Sequence, residues 1–195
     1  MCKKDKEASV RDLHAVKKPL LNPADCFLVI IDMQERLVPA MAGKEKLIEN
    51  VLKLVKFARI FGLPIILTEQ QKLGTTIPEI SVELIDIEPI SKLEFNCFAS
   101  PLFVDQIRGQ RRHTLIIAGI EAHICVAQTA LYALASHTVH VVSDAIASRS
   151  PHNREIALER MRQQGVIITS TEMVIYELLE KAGTDQFREV LALVK

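Results

Sequence analysis

The sequence has little of several features that would place it in a specialised class of protein. Its seven glycines form neither a GxGxxG nor a GxxxxGK[ST] loop, so the usual phosphate cradle of a nucleotide-binding protein is missing. No apolar segment approaches the ~18 residues that a membrane-spanning helix needs. The first residues are polar and basic, unlike a secretory signal. We therefore expect a cytoplasmic protein that has no cofactor and no membrane partner.

Charge and cysteine usage narrow the range of partners. The 24 lysines and arginines balance the 24 aspartates and glutamates, which argues against a nucleic-acid partner and permits copies of the chain to associate. The four cysteines (Cys2, Cys26, Cys97 and Cys125) form no CxxC pair and no Cys/His cluster with zinc-like spacing. A homo-oligomer with reduced thiols is expected, its size not fixed by the sequence.

Short apolar runs alternate with segments of helical period along most of the chain. Residues 1–22 are highly charged and lack this periodicity, so they are predicted to form a flexible arm before a single domain at 23–195. Runs rich in Val and Ile predict buried strands at 26–32, 64–69, 113–119, 138–143 and 166–169. Helical periodicity predicts helices at 46–61, 124–136, 153–164, 172–181 and 185–194. This alternation predicts an α/β fold with a parallel sheet covered by helices on both faces.

Three residues occupy positions that suggest chemistry. Asp32 ends the first apolar run, where a carboxylate is either functional or a turn residue. Cys125 opens the most apolar helix, whose dipole and unpaired N–H groups favour a thiolate, although most buried cysteines are inert. Lys92 follows EPIS and can hold a carboxylate or lower the pKa of a thiol, although a lone lysine is more often a surface residue.

Together, the tracts around these residues resemble the isochorismatase-like cysteine hydrolase superfamily. The matching tracts are LVIIDMQERLV, SKLEFNCFASPLF and IIAGIEAHICVAQTALYALASHTVHVVSDAIASRS, and the resemblance extends from about Ala24 to the last helix. It implies a three-layer α/β sandwich whose six-stranded parallel sheet has the order 3-2-1-4-5-6. It also implies a catalytic triad of Asp32, Lys92 and Cys125.

The resemblance further implies how such a triad would work. A cis peptide bond between Ile120 and Glu121 is expected just before the nucleophile, with the N–H groups of Glu121 and Cys125 as oxyanion donors. Asp32 would accept the thiol proton, and Cys125 would attack a carbonyl carbon to give a thioester that water hydrolyses. The implied substrate is a small amide or ureido compound.

Two departures from better-known members limit the choice of reaction. Nicotinamidases of this superfamily have a metal site of one Asp and two His after the second strand, whereas LTEQQKLGTTIPEI offers Glu69 and no histidine. No metal is therefore expected. Isochorismatases that cleave a vinyl ether lack the nucleophilic cysteine, so Cys125 argues against that reaction. The chain most resembles the isochorismatase-domain-containing proteins of unassigned substrate.

Five further residues are candidates for substrate binding: Gln34, Glu69, Phe95, Asn96 and His123. Structural roles are open for four of them, because Gln34 and Glu69 could balance local charge, Phe95 could be a core residue, and His123 could be structural. Two other functions remain open: a catalytically silent interaction protein on the same scaffold, and a protein with a redox-reactive thiol.

Overall fold

The computed structural model describes residues 20–194, and its centre is a six-stranded parallel sheet in the order β3-β2-β1-β4-β5-β6. The strands are β1 (Cys26–Ile31), β2 (Ile65–Gln70), β3 (Ile90–Lys92), β4 (Thr114–Ile120), β5 (Thr138–Ala147) and β6 (Ile167–Thr169). All five strand pairings are parallel. The predicted fold class and strand order are confirmed.

Seven α-helices connect and flank these strands within the described residues. They are α1 (Lys44–Phe61), α2 (Pro78–Ser81), α3 (Pro101–Gln110), α4 (Ala127–Ala133), α5 (Pro151–Gln163), α6 (Thr171–Leu179) and α7 (Asp185–Val194). Local signals explain several boundaries. Gly62 ends α1 in the left-handed conformation, and the Ser150 side chain caps α5 by accepting from the N–H of Asn153.

The helices form a layer on each face of the sheet. Residues of α1, α6 and α7 share one apolar core with Cys26, Leu28 and Ile30, while residues of α3, α4 and α5 share the other core with Phe27 and Val29. Successive residues of β1 therefore enter opposite cores, as the pleat of a strand requires. Burial on both faces explains why the strand runs are continuously apolar.

Three elements carry too weak a sequence signal to be predicted by periodicity, and one of them is the four-residue helix α2. Strand β3 has only three residues, and its central Ser91 is exposed. Helix α3 buries only Phe103 and Ile107, so it lacks a full apolar stripe. The segment predicted as a helix from residue 124 differs as well, because it begins as a π-helical turn at Ala122–Val126 before α4.

The predicted N-terminal arm falls mostly on residues 1–19, which lie outside the described part of the chain. At its end, Leu21 is buried, and its N–H donates a 3.1 Å hydrogen bond to the Glu177 carboxylate. Between residues 20 and 194, no helix has both the length and the apolar character that crossing a bilayer requires.

Candidate active site

The three predicted catalytic side chains meet at the edge of the sheet that carries the carboxyl ends of the strands. Asp32 follows β1, Lys92 ends β3, and Cys125 lies in the π-helical turn after β4. Because the strand order reverses between β1 and β4, the chain leaves an opening at this point. The Lys92 Nζ atom lies 2.8 Å from Asp32 Oδ2 and 3.9 Å from Cys125 Sγ.

Every hydrogen-bonding position of the buried ammonium has an acceptor. Besides Asp32 and Cys125, Lys92 Nζ donates to Gln70 Oε1 at 2.9 Å. The second carboxylate oxygen of Asp32 accepts a 2.7 Å hydrogen bond from the Thr68 hydroxyl. The Asp32 and Lys92 side chains are both fully excluded from solvent. Such a pair is tolerated in the interior only when its remaining donors and acceptors are also satisfied.

The environment of Cys125 keeps its thiol protonated. Burial raises the pKa of Cys125 far above the usual value, and the charge of Asp32 raises it further, whereas Lys92 acts to lower it. This direction is opposite to the thiolate expected from the start of a helix, because desolvation outweighs the helix dipole. For Lys92, burial lowers the pKa, but the Asp32 carboxylate raises it, and the net shift is upward, so the ammonium stays charged.

The backbone brings β1 and β4 unusually close beside the site. Gly119 has a φ of 115° and pairs with Ile31, and a Cβ atom built on it would lie 2.1 Å from the Ile31 carbonyl oxygen. Only glycine fits this position. One residue further along the chain, the peptide bond between Ile120 and Glu121 is cis. The Glu121 carboxylate is buried and accepts a 3.1 Å hydrogen bond from the Arg149 N–H.

A small cavity of about 60 Å³ opens onto the thiol. Its walls combine two carboxylates, one amide, one thiol and four apolar side chains. The lining residues are Asp32, Leu37, Gln70, Leu73, Phe95, Glu121, Ile124 and Cys125. This volume is well below the roughly 300 Å³ of a typical small-molecule pocket, so it accommodates a group of a few atoms.

Of the five predicted substrate-binding residues, all of which are described, only Phe95 lines this cavity. The buried Gln34 side chain donates to the backbone oxygens of Gln70 at 2.9 Å and Gly74 at 2.7 Å, and accepts from the Gln70 N–H. It therefore ties the end of β1 to the segment after β2. The Glu69 carboxylate accepts from both the N–H and the hydroxyl of Thr76, at 2.7 Å each.

The remaining two candidates are also engaged in local contacts. The Asn96 side chain accepts a 3.0 Å hydrogen bond from the N–H of Phe98 and so caps the 3₁₀ turn at Cys97–Ala99. The His123 ring lies 2.9 Å from the Ser148 hydroxyl and 3.9 Å from the Glu121 carboxylate. Its nearness to Cys125 in the sequence does not bring it onto the cavity wall.

Thr68 and Gln70 contact the catalytic candidates but were not singled out from the sequence. They flank Glu69 on β2, and side chains two residues apart on a strand point to the same side. This alternation is the feature of the sequence that could have identified Thr68 and Gln70. In the described residues, no group of three or more His, Cys, Asp or Glu side chains could hold a metal ion.

Fold and site together define a doubly wound α/β protein with a buried thiol, ammonium and carboxylate at the point where the strand order reverses. The chain belongs to the isochorismatase family, because the family model of the Isochorismatase domain matches residues 26–173. Isochorismatase domain-containing protein 2A of Mus musculus is 35% identical over 178 residues, which are 89% of this chain and 84% of that protein.

Solved structures agree with this assignment. The MAR1 ribonuclease of Caenorhabditis elegans has a TM-score of 0.83 and 34% identity, covering 90% of this chain and 92% of that one. YcaC of Pseudomonas aeruginosa, solved with covalent acrylamide, has a TM-score of 0.84, 28% identity and the same coverages. The Escherichia coli YcaC product, an octameric hydrolase of unknown specificity, has a TM-score of 0.82 and 28% identity, covering 90% and 87%.

Proposed function

We propose that this chain is a metal-independent cysteine hydrolase that cleaves a C–N bond of a small amide or ureido compound through a thioester on Cys125. One observation carries the proposal: the Lys92 ammonium lies 2.8 Å from the Asp32 carboxylate and 3.9 Å from the Cys125 sulfur, beside a cavity that reaches the thiol. Family membership supports hydrolase chemistry.

The protonated resting thiol assigns the first step to Asp32. The Asp32 carboxylate takes the thiol proton as the sulfur attacks the carbonyl carbon, and the charged Lys92 stabilises the developing thiolate. The N–H groups of Glu121 and Cys125 are the proposed donors to the oxyanion. The amine leaves with the proton held by Asp32, which then activates a water molecule to hydrolyse the thioester.

The cavity favours a small neutral group at the reacting end of the substrate. A volume of about 60 Å³ matches a carboxamide or ureido head rather than a bulky acyl group. Leu37, Leu73 and Phe95 supply apolar walls, and the Asp32 and Glu121 carboxylates line the cavity without a lining cation that could bind an anion. RNA, suggested by the name of the C. elegans relative, would place phosphates against these two carboxylates.

The proposal predicts selective alkylation of Cys125. With limiting acrylamide or iodoacetamide at neutral pH, peptide mapping of a Cys2→Ser protein should find the label mainly on Cys125, because Cys26 and Cys97 are fully buried. Asp32→Asn should slow the labelling markedly, because it removes the proton acceptor. Equal, slow labelling of every thiol would support the silent-scaffold alternative instead.

A panel of small amides and ureido compounds tests the reaction itself. Ammonia release should accompany a covalent acyl adduct seen by intact-mass spectrometry after rapid acid quenching. Both signals should vanish in Cys125→Ala and persist in Cys26→Ala, a matched substitution of a core thiol that does not line the cavity. Selective labelling without turnover of any amide, together with rapid peroxide oxidation of Cys125, would favour the redox alternative.

A further inference from the structure

A second concavity, of about 550 Å³, shares no lining residue with the active-site cavity. Its basic residues come from the end of α3 and the segment leading into β4: Arg108, Arg111, Arg112 and His113. His113 immediately precedes β4, so these residues lie at the amino ends of the strands. Seven residues of β4 separate that edge from the catalytic edge, a span of roughly 20 Å.

Within residues 20–194, the three arginines form a positive cluster without an ion-paired carboxylate, although the Asp25 carboxylate accepts from the neighbouring His113 N–H at 2.9 Å. The Arg112 guanidinium is anchored, because its Nη1 donates to the carbonyl oxygens of Pro23 at 2.6 Å and Cys26 at 2.8 Å. Arg108 and Arg111 are exposed. Among residues 20–194, none of the three has a carboxylate within 4.0 Å, whereas other arginines of the chain do.

The helix end alone does not account for this cluster. A single basic residue in the last turn complements the dipole of α3, and Arg108 already occupies that turn. Arg111 caps the helix with a φ of 51°, a left-handed conformation in which glycine is the usual residue. Two further cations therefore stand at the mouth of the concavity beyond what the helix end needs.

Aromatic rings line the same concavity. The Phe98 ring centroid lies 5.3 Å from that of Tyr132 and 5.9 Å from that of His137. Tyr132 is 59% exposed, so its ring is open to a ligand. Burial lowers the pKa of His137, so this ring is neutral at neutral pH and adds a planar surface rather than another charge. Aromatic faces of this kind accept planar ring systems.

We propose that this groove binds a phosphate monoester that carries a planar aromatic or heteroaromatic body. The guanidinium fork matches a phosphate in shape, and the three arginines match a dianion better than a single carboxylate. The rings of Phe98 and Tyr132 would hold the planar body. The volume of about 550 Å³ falls within the range of roughly 300–1,000 Å³ typical of small-molecule sites.

Isothermal titration calorimetry with AMP as the probe tests this proposal directly. The protein used is the full chain with Cys125→Ala, which removes the active-site thiol and leaves the groove unchanged. AMP should bind saturably, and its affinity should fall as salt rises. Adenosine lacks the phosphate and inorganic phosphate lacks the planar ring, so each should bind much more weakly than AMP.

Variants assign the binding to the groove. Arg108→Gln and Arg111→Gln should each weaken AMP binding about tenfold or more, as expected for losing a charge-assisted hydrogen bond. Arg162→Gln is the matched control, because Arg162 is also an exposed arginine in the last turn of a helix but does not line the groove. Its affinity for AMP should not change.

The aromatic wall has its own test. Tyr132→Ser should weaken AMP binding and leave the weak binding of inorganic phosphate unchanged. The proposal is overturned by an absence of AMP binding, by equal affinities for adenosine and AMP, or by equal affinities for inorganic phosphate and AMP. An equal loss of affinity in Arg162→Gln would likewise overturn it, because the attraction would then come from net charge alone.

Discussion

At the scale of single residues, the buried pair of Asp32 and Lys92 decides the character of the site. Two fully buried charges are tolerated because Thr68 and Gln70 supply the remaining hydrogen bonds, at 2.7 and 2.9 Å. Losing either partner therefore costs more stability than losing one partner of a surface ion pair would. It also leaves Cys125 protonated beside a carboxylate that can accept its proton.

Breaking this pair should be costly, whereas neutralising both partners should not. Lys92→Met leaves the Asp32 carboxylate buried without its cation and should lower the free energy of unfolding by about 3–5 kcal/mol. Adding Asp32→Asn should restore most of this loss, because an amide tolerates the φ of 51° at this position and can still accept from Thr68.

Urea denaturation of the two single variants and the double variant measures this coupling as a double-mutant cycle. If the double variant loses as much free energy of unfolding as the two single variants lose together, the two charges are independent, contrary to this expectation.

The buried thiols should make stability fall in alkaline solution. Burial raises the pKa of Cys97 from 9.0 to about 11, so the folded protein keeps a proton that the unfolded chain releases. This contribution is fully present below pH 9 and is lost as the pH rises to about 11. The loss amounts to about 3 kcal/mol, given ~1.4 kcal/mol per pH unit of difference.

Thermal or urea unfolding measured from neutral pH to about pH 11 tests this effect. Cys97→Ala should show a flatter decline than the wild-type protein above pH 9. The decline that remains comes from Cys26, whose pKa burial also raises to about 11, and from Cys125, whose pKa burial raises further. At neutral pH the two proteins should differ by a constant amount, which serves as the internal control. Parallel curves over the whole range would contradict the expectation.

At the scale of elements, the approach of β4 to β1 brings the turn that holds Cys125 next to Asp32. That approach depends on Gly119, where a Cβ atom would lie 2.1 Å from the Ile31 carbonyl oxygen. Strand β2 contributes through its alternation, because Thr68 and Gln70 lie on the side of the catalytic candidates. The geometry of the site therefore depends on the register between neighbouring strands as well as on where each residue lies in the sequence.

Substituting this glycine should disrupt the contact between β1 and β4. Gly119→Ala should lower the free energy of unfolding by at least about 3 kcal/mol, because the backbone clash and the φ of 115° act together. Gly109→Ala is the matched control, since its added Cβ meets no atom within 4 Å and lies in α3, where alanine is favoured.

Denaturant unfolding of both variants supplies the measurement. The control should be unchanged or more stable by about 0.5–1 kcal/mol. A Gly119→Ala protein as stable as the wild type would mean that the two strands can separate without cost.

At the scale of the whole molecule, exposed apolar side chains and the absence of net charge favour association between copies of the chain. Large apolar side chains remain exposed near the catalytic edge, including Leu93 at 62% and Phe95 at 52%. The formal net charge of zero provides no long-range repulsion between copies.

We therefore predict a native mass that is a multiple of the 21.8 kDa chain. Sedimentation velocity over a wide range of protein concentration measures this mass, and an assembly held by apolar contacts should persist at high salt. Sedimentation as a single 21.8 kDa species at every concentration would contradict the prediction.

Much of this architecture could be predicted from the sequence, because its signals are local. The apolar runs predicted five of the six strands, and β3 entered only through the resemblance of the whole chain to a family. The positions of Asp32 and Cys125 at the ends of apolar segments also marked them as candidates. The sequence failed where a residue's role depends on its partner, as for Gln34 and Glu69, whose hydrogen bonds lie with backbone or Thr76.

The sequence by itself thus determined the alternation of strands and helices, the family and the three candidate residues that meet at the site. Only the tertiary structure decided the protonation of Cys125, the role of Thr68 and Gln70, and the size of the cavity. The physical reason is that pKa values and cavities depend on solvent exclusion and on contacts between distant segments. Asp32 and Lys92 are 60 residues apart in the chain, yet their charges are 2.8 Å apart in the fold.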